Sequence, residues 1–289
     1  MNPALPSPAT SEGISRVDFD YVRDLVKSHT AISLDDSKVY LINARLLPVA
    51  RRAGYDSVVG LIRHLRSRPF GDLHSKAVEA ILTTETSFFR DFYPFDALRR
   101  EVLPKLIESR RSSNRSLGIW SAGCSGGQEP YSIAMLLRDG FPELATWDLR
   151  LHASDVSVSV LEKSKNGLYS QNEVNRGLPA PMLVKFFRQS GSDWRVNDEI
   201  RSMVSFFQHN LARDAPMIPP MDIIMMRNVL IYFDVETKRR VLRRIRNHLA
   251  PGGYLMLGTA ETTLNLDDGF QRQRIGQAVF YRNGVSEVR

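Results

Sequence analysis

Between residues 15 and 82 the apolar positions recur every third and fourth residue: Phe19, Val22, Leu25 and Val26; Leu41, Ile42 and Leu46; Val58, Leu61, Ile62 and Leu65. An α-helix turns once in about 3.6 residues, so this spacing lines one face and predicts several short amphipathic helices. No alternating stretch interrupts them. A polar run without period, residues 108–116, reads as a surface connection, which places a domain boundary between Leu82 and Leu117. Beyond it the pattern changes. Short apolar runs at 117–120, 149–153, 203–207, 222–226 and 253–257 predict buried strands, and the segments 131–138 and 236–249 between them predict helices. Strands alternating with helices imply an α/β fold with a doubly wound, mostly parallel sheet. The last run, 278–282, follows a short turn at 274–277 and is expected to close an antiparallel hairpin. The stretch from Asp155 to Met203 is too long for one crossover. Its turn signals, Ser190-Gly191-Ser192 and Asn197-Asp198, point to an inserted antiparallel β flap at about 176–202. The expected organisation is a lead-in at 1–15, a helical domain at 16–82, a linker helix and contact segment at 83–116, and a sheet domain at 117–289.

Composition narrows the class. With 43% hydrophobic and 25% charged residues in 289, the chain has an ordinary globular make-up. Cys124 is its single cysteine, which excludes intrachain disulfides and a cysteine-rich metal site and fits a reducing cytosol. The first 15 residues, rich in Pro, Ser and Ala, lack the basic and apolar regions of a secretion signal. Apolar runs fall far short of the roughly 20 residues that span a bilayer, so a cytoplasmic location without membrane insertion is expected. The net charge of +7 is uneven: seven basic residues and one acid lie between Lys38 and Arg68, leaving the remainder nearly neutral.

Four segments carry candidate chemistry. An apolar strand enters the small-residue loop Gly123-Cys124-Ser125-Gly126-Gly127, followed by Gln128-Glu129-Pro130-Tyr131-Ser132. Proline suits a first helical turn, and small residues let a ligand approach the backbone. The loop has neither the G-x-G-x-x-G spacing nor Gly-Lys-Ser/Thr, so a nucleoside without phosphates suits it better than a nucleotide. The strand Leu149-Arg150-Leu151-His152-Ala153-Ser154 ends in Asp155. A carboxylate there either accepts both ribose hydroxyls or caps the helix beginning near Val158, and spacing leaves both open. The third segment runs from the apolar strand at 221–226 into Arg227-Asn228-Val229-Leu230-Ile231-Tyr232-Phe233, and the fourth is Thr83-Thr84-Glu85-Thr86-Ser87-Phe88-Phe89-Arg90-Asp91. The paired aromatics of the fourth serve equally as core.

Taken in order, Thr86-Ser87-Phe88-Phe89-Arg90-Asp91, Trp120-Ser121-Ala122 with Glu129-Pro130-Tyr131-Ser132, Ala153-Ser154-Asp155 and Arg227-Asn228-Val229-Leu230-Ile231-Tyr232-Phe233 resemble the CheR family over roughly residues 17–282. These are S-adenosylmethionine-dependent methyltransferases that esterify glutamates of bacterial chemotaxis receptors. The resemblance implies an all-α N-terminal domain, a Rossmann-like methyltransferase sheet and an inserted antiparallel β subdomain. It carries cofactor contacts for S-adenosylmethionine, and for its product S-adenosylhomocysteine, onto Thr84, Thr86, Arg90, Glu129, Asp155, Asn210, Leu211, Asn228 and Val229. Thr84 departs from the asparagine that many relatives have. Arg90 and Tyr232 are the implied catalytic pair, and Lys38, Arg45, Arg51 and Arg52 the implied docking face for methyl-accepting receptors with acidic helical bundles. Cys124 reads as a small loop residue rather than a nucleophile. No metal, no nucleic-acid partner and a monomeric chain are expected. Amino-methyltransferases of DNA and RNA usually carry Asn/Asp-Pro-Pro-Tyr/Phe where this chain has Arg-Asn-Val-Leu-Ile-Tyr, which argues against a nucleobase substrate. The remaining alternatives are a nucleic-acid methyltransferase and a non-catalytic scaffold that senses the cofactor.

Overall fold

The computed structural model describes residues 13–284 apart from Ser113, Asp214 and Ala215, so most of the expected lead-in lies outside the described residues. Contacts divide the chain after Leu82 into two compact units. The first contains the helices Arg16–Thr30, Val39–Arg52, Val58–Arg66 and Asp72–Ile81. Ser15 and Ser57 start two of them by accepting the backbone N–H of Asp18 and Gly60. Ser15 is thus a helix cap and not part of a lead-in. Leu25 and Leu41 are half-buried, but most residues that set the sequence period are buried in one core, Phe19, Ile42, Leu46, Leu61 and Ile62 fully so. Each such side chain contributes on the order of 1.5–3 kcal/mol.

Among its described residues the second unit holds ten strands: β1 Ser116–Ala122, β2 Asp148–Asp155, β3 Leu168–Ser170, β4 Phe187–Ser190, β5 Asp193–Val196, β6 Val204–Gln208, β7 Met221–Met226, β8 Leu249–Leu257, β9 Phe270–Ile275 and β10 Ala278–Asn283. Seven form a sheet in the order β6-β2-β1-β7-β8-β10-β9. The first five are parallel and β10 is antiparallel to both neighbours. β1 and β7 are buried along their whole length, which explains why they read as continuous apolar runs rather than alternating ones. The chain leaves β1 toward β2 and β6 and later returns on its other side at β7, so the carboxyl end of β1 is the point where the strand order reverses. A doubly wound sheet opens its ligand crevice there.

The smaller sheet has the order β3-β5-β4 and is antiparallel. Its edge strand β3 comes from upstream of the expected 176–202 flap, because Tyr169 pairs opposite Trp194. Phe88 docks edge-on against Tyr169 at 5.0 Å and Phe187 at 5.6 Å, so the aromatic pair Phe88-Phe89 is core. That anchorage holds the segment from Thr84 to Asp91 against the sheet unit. A helical run follows, Tyr93–Ala97, a π-turn Leu98–Val102, and Leu103–Arg110. At its end Arg110 pairs with Asp222 of β7, whose Oδ2 also accepts the Gly118 N–H at 2.8 Å. Burial pushes the Asp222 carboxyl up from its ordinary value despite these two donors.

Candidate active site

Where β1 ends, the Gly123 and Cys124 N–H groups both donate to the Ser154 carbonyl at 2.8 Å, tying the loop to β2. Gly123 has φ +83, and a Cβ there would stand 2.6 Å from Val229 Cγ2. Only glycine lets the loops after β1 and β7 approach this closely. The Ser125 N–H donates to Asp155 Oδ2 at 2.9 Å and the Ser157 N–H to Oδ1 at 3.0 Å. Ser157, not Asp155, caps the helix Val158–Asn166 by accepting from Val160. The carboxylate of Asp155 is therefore fixed by two backbone donors, and a carboxylate has capacity for about four. The His209 N–H donates to the Asp155 carbonyl at 2.9 Å, which draws the loop after β6 to the same edge. There Leu211 is buried and Asn210 Oδ1 accepts the Ala212 N–H at 3.0 Å.

Glu129 opens the helix Gln128–Gly140 and accepts from Ser121 Oγ at 2.8 Å. It also pairs with Arg227 Nη1 at 3.2 Å, with side chains only 12% and 3% exposed. Burial pushes the Glu129 carboxyl above its ordinary value, against the pull of Arg227 and the Ser121 bond. Arg227 Nη2 donates to the Arg90 carbonyl at 2.9 Å and to Asp91 Oδ2 at 2.5 Å. One guanidinium thus joins β7, the first turn after β1 and the Arg90-Asp91 turn. Arg90 Nη1 donates to the Glu85 carbonyl at 3.2 Å, and its charge also reaches Glu129. Ser125 Oγ donates to the Thr84 carbonyl at 2.7 Å, and Thr86 is half-buried in the same segment.

Past Arg227, Asn228 adopts φ 59, the left-handed region that asparagine tolerates better than most residues. Glu261 holds this conformation. Its carboxylate accepts N–H groups from Asn228 at 2.8 Å, Ile231 at 3.2 Å and Gly258 at 2.7 Å. Tyr232, half-buried, ends the short turn Leu230–Tyr232. Asn228 Oδ1 is buried and accepts no hydrogen bond among the described residues. A buried acceptor without a donor costs about 1–3 kcal/mol unless a ligand supplies one. Together with Glu129 and Asp155 it makes a wall of acceptors, which suits a ligand carrying an ammonium, a sulfonium and ribose hydroxyls.

Residues 84–279 match the family profile described as "CheR methyltransferase, SAM binding domain", and residues 17–82 match "CheR methyltransferase, all-alpha domain". The chain belongs to the CheR methyltransferase family. It is 36% identical over 271 residues to "Chemotaxis protein methyltransferase Cher2" of Pseudomonas putida, covering 92% of this chain and 98% of the relative. It is 37% identical over 273 residues to "Chemotaxis protein methyltransferase 1" of Pseudomonas aeruginosa, covering 93% and 98%. A chemotaxis protein methyltransferase of Vibrio parahaemolyticus is 35% identical over 277 residues, covering 94% and 99%. S-adenosylmethionine is the cofactor of this CheR chain, and the acceptor wall fits it.

Among the sequence-derived candidates, the sheet edge gathers Glu129, Asp155, Asn210, Leu211, Asn228, Val229 and Tyr232, and the Phe88 anchor adds Thr84, Thr86 and Arg90. Arg227, Asp91, Ser121 and Glu261 bond into the same cluster without having been singled out. Arg227 had a signal, a charge ending an apolar strand. Glu261 had none, since it lies 33 residues from Asn228 and only the fold joins them. Cys124 is buried, and burial pushes its thiol well above the ordinary value, so it is no nucleophile. Of the basic residues in the α-helical unit, Lys38, Arg51 and Arg52 are exposed, whereas Arg45 Nη1 donates to the Ile81 and Leu82 carbonyls. Arg45 therefore caps a helix end and is not a free docking group. No helix among the described residues is long and apolar enough to cross a membrane, and no group of metal-ligating side chains occurs among them.

Asp155→Ala removes the acceptor of two loop N–H groups and, on the reading that this carboxylate holds the ribose, a cofactor contact. Calorimetry with S-adenosylhomocysteine is expected to show affinity reduced about 100-fold, the loss of two charge-assisted bonds of roughly 1.5 kcal/mol each. An affinity within threefold of the parent would remove Asp155 from the binding site.

Proposed function

We propose that this protein is a protein-glutamate O-methyltransferase that esterifies chemoreceptor glutamates in chemotactic adaptation. The reading rests on the kinship over more than nine-tenths of the chain with proteins named chemotaxis protein methyltransferase. When bound, S-adenosylmethionine supplies a methyl group on a sulfonium and leaves as S-adenosylhomocysteine. Asp155, oriented by the Ser125 and Ser157 N–H groups, accepts the ribose hydroxyls. Glu129 and Asn228 Oδ1 accept from the ammonium, Asn210 and Leu211 flank the adenine, Val229 forms part of the wall, and Thr84 and Thr86 close the side opposite the sheet.

A glutamate side chain has an ordinary pKa of about 4.3, so at neutral pH the nucleophile is already ionised and no general base is needed. Orientation and exclusion of water then set the rate. Arg90 attracts the carboxylate, and Tyr232 positions it by a hydrogen bond. A bidentate clamp would quench the nucleophile. Arg90 avoids this because one of its nitrogens is held by the Glu85 carbonyl and its charge is shared with Glu129. Lys38, Arg51 and Arg52 present cations on the α-helical unit to the acidic helical bundle of a methyl-accepting receptor, with Arg45 adding only its long-range field.

The experiment is incubation with methyl-labelled S-adenosylmethionine and receptor-containing membranes, followed by mild base. Label released as methanol from the receptor band is the expected result, because carboxyl methyl esters hydrolyse under these conditions. Label found in nucleic acid, or in no macromolecule, would refute the reading.

A further inference from the structure

The helix Val235–His248, sequence VETKRRVLRRIRNH, carries six lysines and arginines against the single acid Glu236. It buries Thr237, Val241, Leu242 and Ile245 and turns Arg239, Arg240 and Arg243 to solvent. Acids meet this helix near its two ends. Glu236 pairs with Arg239 at 2.6 Å, and Asp267 pairs with Arg246 toward the far end. Arg240 donates to Thr237 Oγ1 and Arg244 to the Leu211 carbonyl, both uncharged acceptors. The helix begins three residues after Tyr232, and the exposed apolar side chains Ile231, just before Tyr232, and Val235, at the helix start, are 49% and 52% accessible. Val235, Arg239 and Arg243 are four residues apart and so stack along one stripe. The surface thus runs from the catalytic turn over two apolar residues into a row of cations.

We propose that this stripe is a second receptor-docking surface, carried by the methyltransferase unit itself. Its occupant is the acidic amphipathic receptor helix on which the methylated glutamate sits. The inference rests on the functional reading above. A helix presenting glutamates to Tyr232 continues in both directions, and its next acidic turns meet Arg239 and Arg243 while its apolar edge meets Ile231 and Val235. Cations at the rim of an interface steer the encounter and fix register more than they add to tight binding. The face should therefore act on receptor KM and on salt dependence, not on the methyl-transfer step.

The test uses the full-length protein with receptor-containing membranes and the base-labile methanol readout. Absence of ester with the unmodified protein would defeat the functional reading itself, separately from this proposal. With ester formation established, the double variant R239E/R243E is expected to raise receptor KM about tenfold and to flatten the fall of kcat/KM with salt. Its kcat and its calorimetric affinity for S-adenosylhomocysteine should stay within twofold. The milder R243Q, neutral and on the exposed face, should shift KM in the same direction by about threefold. Unchanged KM in both variants overturns the proposal. It is equally overturned if KM holds while binding to DNA or to anionic vesicles falls, since the face would then serve another partner.

Discussion

Arg227→Met is expected to destabilise the sheet unit by about 3–5 kcal/mol, the range for removing one partner of a buried ion pair. The substitution leaves Glu129 and Asp91 without their shared cation and the Arg90 carbonyl without a donor, in a place where the Glu129 side chain is 12% exposed. Methionine replaces much of the volume, so the loss measures charge and hydrogen bonding more than packing. All three tryptophans, Trp120, Trp147 and Trp194, lie in this unit, so the midpoint of denaturant unfolding followed by tryptophan fluorescence reads the effect directly. The deficit has a pH signature. Burial already raises the Glu129 carboxyl against the pull of Arg227, and removing that pull raises it further. A group with a raised folded pKa is stabilising below its unfolded value and loses that contribution as pH climbs through the folded one. Lowering the pH from neutral toward the ordinary carboxylate range therefore protonates Glu129 in the variant and recovers part of its stability. A loss below 1 kcal/mol at neutral pH, or one that grows on acidification, would show that Arg227 is not the tie between these segments.

Arg90→Ala and Tyr232→Phe should each lower kcat for receptor methylation by roughly 100-fold, the scale of losing orientation by about an ångström. The double variant should fall well short of the product of the two, because the proposed role of both groups is to orient one carboxylate. Tyr232→Phe should bind S-adenosylhomocysteine within threefold of the parent, since its role lies on the substrate side. Arg90→Ala gives up a charge that reaches Glu129, so a moderate loss of cofactor affinity accompanies its lower kcat. Near-normal methyl transfer by both variants at saturating receptor would end their assignment as the catalytic pair.

Long apolar elements were legible in the chain because burial on both faces leaves a continuous signature, as in β1 and β7. β3 was not, since its three residues have no period and become a strand only by pairing with β5. Whether Asp155 capped the next helix depended on which side chain stood at the helix start, and the Ser157 hydroxyl filled that role. Arg45 was among the docking cations the family resemblance implied, yet it answers the open carbonyls that end the helix Asp72–Ile81. The cationic stripe of the helix Val235–His248 was hidden behind the denser basic run at residues 38–68, although the sheet unit as a whole carries 28 lysines and arginines against 23 acids.

By itself the sequence determined the division into a helical and a sheet-bearing part, the parallel winding, and the family to which its short motifs belong. These depend on local periodicity and on motifs that are contiguous in the chain. Only the tertiary structure decided that Arg227 bridges Glu129 and Asp91, that Glu261 fixes the Asn228 turn across 33 residues, and which cations remain free to meet a partner. A buried carboxylate or guanidinium finds its counter-charge wherever the fold places one, and no spacing in the chain encodes that distance.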